Sequence, residues 1–145
     1  MTLPTSAGAA QPASLARRGL ALVYETLLLA AVLLAGALPF VMLTHRLDHA
    51  VGRLLLQFYL VALIGIYFTW QWKRGGRTLA MKTWRLRLIT RNGAPVGWKR
   101  AWIRYLVALP GALLAGAGFL WALADRDRQF LHDRVAGTRI IRDEG

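Results

Sequence analysis

The sequence contains no cysteine, and its two serines, Ser6 and Ser14, both lie within the first 16 residues. These absences exclude a disulfide framework, a thiolate metal site and a cysteine nucleophile. They also leave the apolar part of the chain without a serine nucleophile. We therefore expect no enzyme activity and assign no catalytic residue, no metal site and no cofactor.

Acidic residues are also scarce, with seven Asp and Glu against nineteen Lys and Arg, which gives a net charge of +12. Only 18% of the residues are charged and 56% are hydrophobic, whereas soluble domains carry about 25% charged residues. The basic residues over 73–104 directly adjoin two hydrophobic segments. The predicted partner of this basic loop is therefore a bilayer with anionic headgroups, and not a nucleic acid.

Two long apolar runs predict transmembrane helices. Residues 19–43 carry a single charged side chain, Glu25, and residues 54–72 carry none, and a helix needs about 20 apolar residues to cross a bilayer. The connection between them is short and polar, so an antiparallel helical hairpin is expected. Residues 1–16 predict a disordered tail, and residues 17–145 predict a single membrane domain.

A third hydrophobic segment, over residues 105–124, is interrupted by Pro110–Gly111. It is either a kinked span or a re-entrant segment, because proline removes a helix hydrogen bond. Ten of the nineteen basic residues lie in 73–104 and five follow residue 124. Basic loops favour the cytoplasm, so both termini are predicted to be cytoplasmic in a multi-pass protein of the bacterial inner membrane. A segment that enters and returns satisfies these counts, and a single kinked crossing remains the alternative.

The segment between the second and third apolar runs alternates apolar and basic residues and then reaches the turn signal Asn92–Gly93. This pattern predicts a cytoplasmic β-hairpin over residues 82–97, and residues 138–142 are a candidate third strand. Residues 98–109 predict a helix in the membrane interface, with Arg104 on its basic face. The fold class is therefore a membrane all-α protein with a small cytoplasmic β element.

Glu25 is the most informative single residue, because an unpaired carboxylate inside a span is costly. Arg18 precedes it by seven residues, nearly two helical turns, so both lie on one helical face. Glu25 either binds a proton or cation in a transport path or is held by Arg18 or another interior basic group. Arg17 is a secondary candidate that flanks the span. His132 and Asp133 form either a proton relay or a hydrogen bond that fixes a loop.

Three motifs occur in order along the chain. Arg18 opens the first span and Glu25 follows seven residues later. The middle motif is GGRTLAMKTWRLRLITRNGAP, over residues 75–95. The closing motif resembles RQxLHDxxAGT and spans residues 128–138. Taken together, these motifs resemble the RDD family of small bacterial integral membrane proteins, and the resemblance covers residues 15–141.

The resemblance implies a transport role, by association with cation/proton antiport, and a functional set of Arg18, Glu25 and Asp133. Two residues depart from the family pattern: Glu25 replaces an aspartate, and Ala80 replaces a common glycine. Two hypotheses follow. The first is a cation/proton exchanger that works as a homo-oligomer, and the second is a non-transporting accessory subunit that binds a membrane protein partner.

Overall fold

The computed structural model describes residues 12–114 and 116–143. The elements in chain order are α1 (Leu15–Thr44), α2 (His49–Gly75), α3 (Leu79–Thr83), β1 (Leu86–Thr90), α4 (Trp98–Leu113), α5 (Ala117–Ala124), α6 (Leu131–Ala136) and β2 (Thr138–Arg142). The described residues are therefore mostly helical, with one small two-stranded sheet.

The first two helices, α1 and α2, are each long and apolar enough to cross a membrane. Two contacts show that they run antiparallel. The ring of Phe40, late in α1, stacks on that of Tyr59, in the first half of α2, with centroids 4.7 Å apart. Glu25, earlier in α1, contacts Tyr67, later in α2. The predicted helical hairpin is thus confirmed, with longer helices than the apolar runs alone indicated.

The start of α1 is joined to the end of the chain. Ser14 caps the helix by accepting a hydrogen bond from the backbone N–H of Arg17, as serine commonly does at this position. Pro12 forms a β-bridge with Ile141. Residues 12–16 of the tail predicted over residues 1–16 are therefore structured, and residues 1–11 lie outside the described part of the chain.

The sheet pairs β1 with β2 in antiparallel register, from Leu86 opposite Arg142 to Thr90 opposite Thr138. The hairpin predicted over residues 82–97 is therefore wrong, and the strand predicted in the tail is the true partner. A turn does form at Asn92–Gly93, and it is closed by hydrogen bonds between Thr90 and Ala94 that use both the backbone and the hydroxyl group of Thr90. Pro95 follows and has no N–H to donate to a ladder, so no second strand forms there.

The third apolar segment consists of two helices, α4 and α5, bent by 97° at the break between them. Pro110 lies inside α4, which continues to Leu113, so the break falls later than the proline. Gly111 and Gly118 lie against each other across the bend, since a Cβ added to either would be 3.2 Å from the other's Cα. These two glycines allow the close approach of α4 and α5.

One face of α4 is buried and carries Ala101, Arg104 and Tyr105. The hydroxyl of Tyr105 donates a hydrogen bond of 2.6 Å to the backbone oxygen of Val61 in α2, which fixes α4 against the helical hairpin. The helix predicted over residues 98–109 forms within α4, but the placement of Arg104 on its basic face is wrong, because the Arg104 side chain is buried. Ala80, at the family's glycine position, is also fully buried, so its methyl group is accommodated.

Candidate functional site

A cavity of about 350 Å³ lies where the helical hairpin meets α4, α6 and the sheet. Its lining is mostly apolar, and its polar side chains include Arg18, Glu25, Thr78, Arg104 and His132. These residues come from distant parts of the chain, and the fold brings them to one place. Asp133 lies directly behind this lining, in contact with Arg104.

Glu25 extends from α1 toward α2 and the start of α3. Its side chain is buried, at 8% exposure. It accepts hydrogen bonds from the hydroxyl of Tyr67 at 3.3 Å and from that of Thr78. Thr78 is held in place because it also caps α3 through the backbone N–H of Met81 at 3.2 Å. Glu25 is therefore satisfied by two hydroxyl groups from two separate elements.

Arg18 lies on the same face of α1 as Glu25, as predicted, but the two form no ion pair within 4.0 Å. The Arg18 guanidinium instead lies over the Phe130 ring, 5.3 Å from its centroid. Its Nε has no hydrogen-bond partner in the described part of the chain. The interpretation in which Arg18 holds Glu25 is thus wrong, because the two side chains turn toward different elements.

Asp133 pairs with Arg104, a residue that the sequence reasoning assigned elsewhere. Arg104 Nε lies 2.6 Å from Asp133 Oδ1, and the guanidinium also lies over the Trp72 ring, 4.1 Å from its centroid. The Thr138 hydroxyl donates to the same carboxylate oxygen at 3.2 Å. Although burial alone raises the pKa of Asp133, Arg104, His132 and Thr138 together hold that pKa below its ordinary value. The carboxylate is ionised and locked in place.

His132 contributes an aromatic surface more than a charge. Its ring stacks on Phe130 and meets the edge of Phe119, with centroids 5.3 and 5.1 Å away. Burial, assisted by Arg104 and partly opposed by Asp133, lowers the pKa of His132 to about 4. The imidazole is therefore neutral near pH 7, and its Nε2 lies 4.0 Å from Asp133 Oδ2, too far for a hydrogen bond. This geometry favours a packing role over a proton relay.

Arg17 lies outside the cavity. It lines a separate small depression with Trp84, Arg85 and Arg142. Of the two arginines that precede the first apolar run, only Arg18 lines the cavity with Glu25.

Sequence reasoning missed Tyr67, Thr78 and Arg104. A signal for Arg104 was present, because Ala101, Arg104, Tyr105 and Ala108 follow the i, i+3, i+4, i+7 spacing of one helical face. Thr78 had only the signature of a helix cap. Among the described residues, no group of three or more His, Cys, Asp or Glu side chains lies close enough together to hold a metal ion.

Two apolar helices in an antiparallel hairpin, a bent third pair and buried charges between them fit a small helical membrane protein. The chain belongs to the RDD family, whose pattern matches residues 12–137, most of the chain. The resemblance carried by the three motifs is thereby confirmed. Searches of curated proteins and of solved structures found no match.

Proposed function

We propose that this RDD-family protein exchanges a monovalent cation for protons across the bacterial inner membrane, with Glu25 binding each in turn. The observation that carries the proposal is the setting of Glu25. It is a buried carboxylate in the first apolar helix that lines a cavity, and no basic side chain of the described residues lies within 4.0 Å of it. Intramembrane acids of this kind are expensive to keep and commonly mark ion paths.

The groups around Glu25 support a site for a small hard cation. The hydroxyl oxygens of Tyr67 and Thr78 contact its two carboxylate oxygens, and hard cations prefer oxygen ligands. A hydroxyl can also rotate from donor to acceptor, so the same groups suit a protonated carboxyl. The charge of Arg104 is largely offset by Asp133, which reduces its repulsion of a cation at Glu25.

The β1–β2 pairing supports a topology in which α4 and α5 enter and return on one side of the membrane. Strand β1 precedes this helix pair and β2 follows it, and strands that pair must share a compartment. The bridge from Pro12 to Ile141 adds the start of α1 to the same side. The basic loop over residues 73–104 favours the cytoplasm for this side. Because so few helical elements enclose little aqueous space, the exchanger is proposed to be a homo-oligomer.

The test is dissipation of a preformed pH gradient by added Na⁺, Li⁺ or K⁺ in everted membrane vesicles. The wild type should respond to at least one cation, and Glu25→Gln should not, because the amide cannot exchange a proton. Glu25→Asp restores the family's residue and should retain activity. Asp127→Asn, which removes an exposed acid, is the matched control. Equal activity in the wild type and Glu25→Gln at equal protein level would end the proposal.

A second candidate, an accessory subunit that binds a membrane protein partner, is favoured by the Arg104–Asp133 pair. This pair ties α4 to α6 and is buried, so these two charges of the cluster hold helices together. This role predicts that Glu25→Gln lowers the yield of an assembled complex and changes no flux. Affinity purification from mild detergent that recovers no stoichiometric membrane partner would contradict it.

A further inference from the structure

Arg18 is a buried cation without a counter-charge in direct contact. It is 5% exposed, and no carboxylate of residues 12–114 and 116–143 lies within 4.0 Å of its guanidinium. Its Nε is one of the buried polar atoms that lack a partner in this part of the chain. The contact with the Phe130 ring at 5.3 Å offsets only part of the cost of burying the charge. The group therefore has capacity for an anionic ligand.

The other charged groups of the cavity do not share this property. Arg104 already contacts Asp133 at 2.6 Å and the Trp72 ring at 4.1 Å. Both oxygens of Glu25 are engaged by hydroxyl groups of the protein. Arg18 is thus the charged side chain in the cavity that is left to receive a ligand.

Most of the cavity lining beyond Arg18 is apolar, so a ligand of this cavity should also have an apolar part. Beyond Arg18 its walls include Leu22, Leu29, Ile64 and Leu109. Arg18 and Leu29 are the two extremes of the lining on α1, roughly 16 Å apart along the helix axis at about 1.5 Å per residue. Glu25 also lies on this path, but its two carboxylate oxygens are bonded to Tyr67 and Thr78. A mostly apolar path that begins at a guanidinium is complementary to a molecule with one anionic end and one hydrocarbon end.

We propose that this cavity binds a single-chain amphipathic oxyanion, with its carboxylate or phosphate head on Arg18 and its acyl chain along α1 toward Leu29. Guanidinium groups bind both head groups through paired hydrogen bonds. The volume of about 350 Å³ holds on the order of a dozen non-hydrogen atoms, at the roughly 30 Å³ that a water molecule occupies. That room suits one acyl chain and is too small for a two-chain phospholipid. The inference goes beyond ion exchange, because such binding needs no gradient and no proton on Glu25.

The experiment uses the full-length protein in nanodiscs of uncharged phosphatidylcholine, titrated with brominated dodecanoate while quenching of tryptophan fluorescence is followed. Trp72 lines the cavity and should be quenched by a bromine atom nearby. Dodecanoate should bind at least about tenfold more tightly than brominated dodecanol of the same length, because only the anion bonds to Arg18. Decyl phosphate, a single-chain phosphate with about as many non-hydrogen atoms as dodecanoate, is the second arm, and the tighter of the two anions identifies a carboxylate or a phosphate as the head group that Arg18 prefers.

Two variants make the result specific. Arg18→Met should weaken dodecanoate binding about tenfold or more, and Arg17→Met, which removes the neighbouring arginine outside the cavity, should not. If Arg18→Met does not fold, Ala108→Leu, which narrows the acyl path, should shift the preference from dodecanoate toward octanoate. Equal binding of the alcohol and the anion, equal effects of Arg17→Met and Arg18→Met, or an unchanged chain-length preference in Ala108→Leu would overturn the proposal.

Discussion

Arg104 Nε donates a hydrogen bond of 2.6 Å to Asp133 Oδ1, and both side chains are buried. Removing one member of such a pair leaves an uncompensated charge in the interior. We therefore expect Arg104→Met to lower the free energy of unfolding by about 3–5 kcal/mol, measured by titration with dodecyl sulfate in mixed micelles. Lys99→Met removes an exposed charge from the same helix and should change that free energy by less than about 0.5 kcal/mol.

The double variant Arg104→Met/Asp133→Leu separates charge from packing. Because it removes both charges together, it should be more stable than Arg104→Met alone. A double variant that is less stable than the single one would show that the pair matters through its shape and not through its charge.

A pH dependence of stability should come from His132. Burial lowers its pKa from 6.5 to about 4, so between these values the unfolded chain binds a proton that the folded chain does not. Stability is therefore complete above about pH 6.5 and falls as the pH drops toward 4, by on the order of 3 kcal/mol. Asp133 adds little in this window, because its lowered pKa moves its own contribution to more acidic pH.

The variant His132→Phe tests this assignment, since it keeps an aromatic ring against Phe130 and removes the titration. Melting temperatures from pH 7 to pH 4 should fall less steeply in His132→Phe than in the wild type. Parallel pH profiles for the two proteins would assign the loss of stability to another group.

Gly76 ends α2 in the left-handed region, at φ +63. A Cβ there would also lie 2.6 Å from the backbone oxygen of Leu88, next to the hydrogen bond between the Leu88 N–H and the Gly76 oxygen. Gly76→Ala should therefore destabilise the protein by at least about 1–3 kcal/mol. Gly75→Ala, where nothing lies within 4 Å of the added carbon, is the control and should have little effect. Thermal melting of both variants in one detergent gives the comparison.

The pairing of β1 with β2 can be tested by cross-linking, because the natural chain has no cysteine. Arg87 and Ile141 are directly opposite, within the Cα separation that a disulfide requires. Arg87→Cys/Ile141→Cys should form an intramolecular disulfide under mild oxidation in whole membranes. Arg91→Cys/Ile141→Cys, displaced along the ladder, should not. Equal cross-linking of the two pairs would contradict the register.

Features that depend on neighbouring residues could be predicted from the sequence. The two long helices follow from uninterrupted apolar runs, and the shared face of Arg18 and Glu25 follows from helical spacing. The strand over residues 138–142 was also recognisable from its composition. In each case the information lies within one segment of the chain.

Features that depend on distant residues could not be predicted in the same way. The turn at Asn92–Gly93 indicated a local hairpin, but the partner of β1 lies about fifty residues later in the chain. Likewise, the sequence did not indicate that Glu25 would contact Tyr67 and Thr78, because these hydroxyl side chains are uncharged and do not stand out as partners of a carboxylate. The burial of Arg104 was readable from its helical face, whereas its pairing with Asp133 depends on how α6 docks.

Strand β2 pairs with β1, and its Ile141 also bridges Pro12, which sets an order of assembly during synthesis. The helical hairpin with Glu25 leaves the ribosome first, and Tyr67 and Thr78 become available soon after. Arg104 follows without a counter-ion until Asp133 emerges, and the sheet closes only when β2 is complete. A polypeptide released early would expose an unpaired arginine and an open cavity, which is the state that membrane proteases and chaperones would encounter.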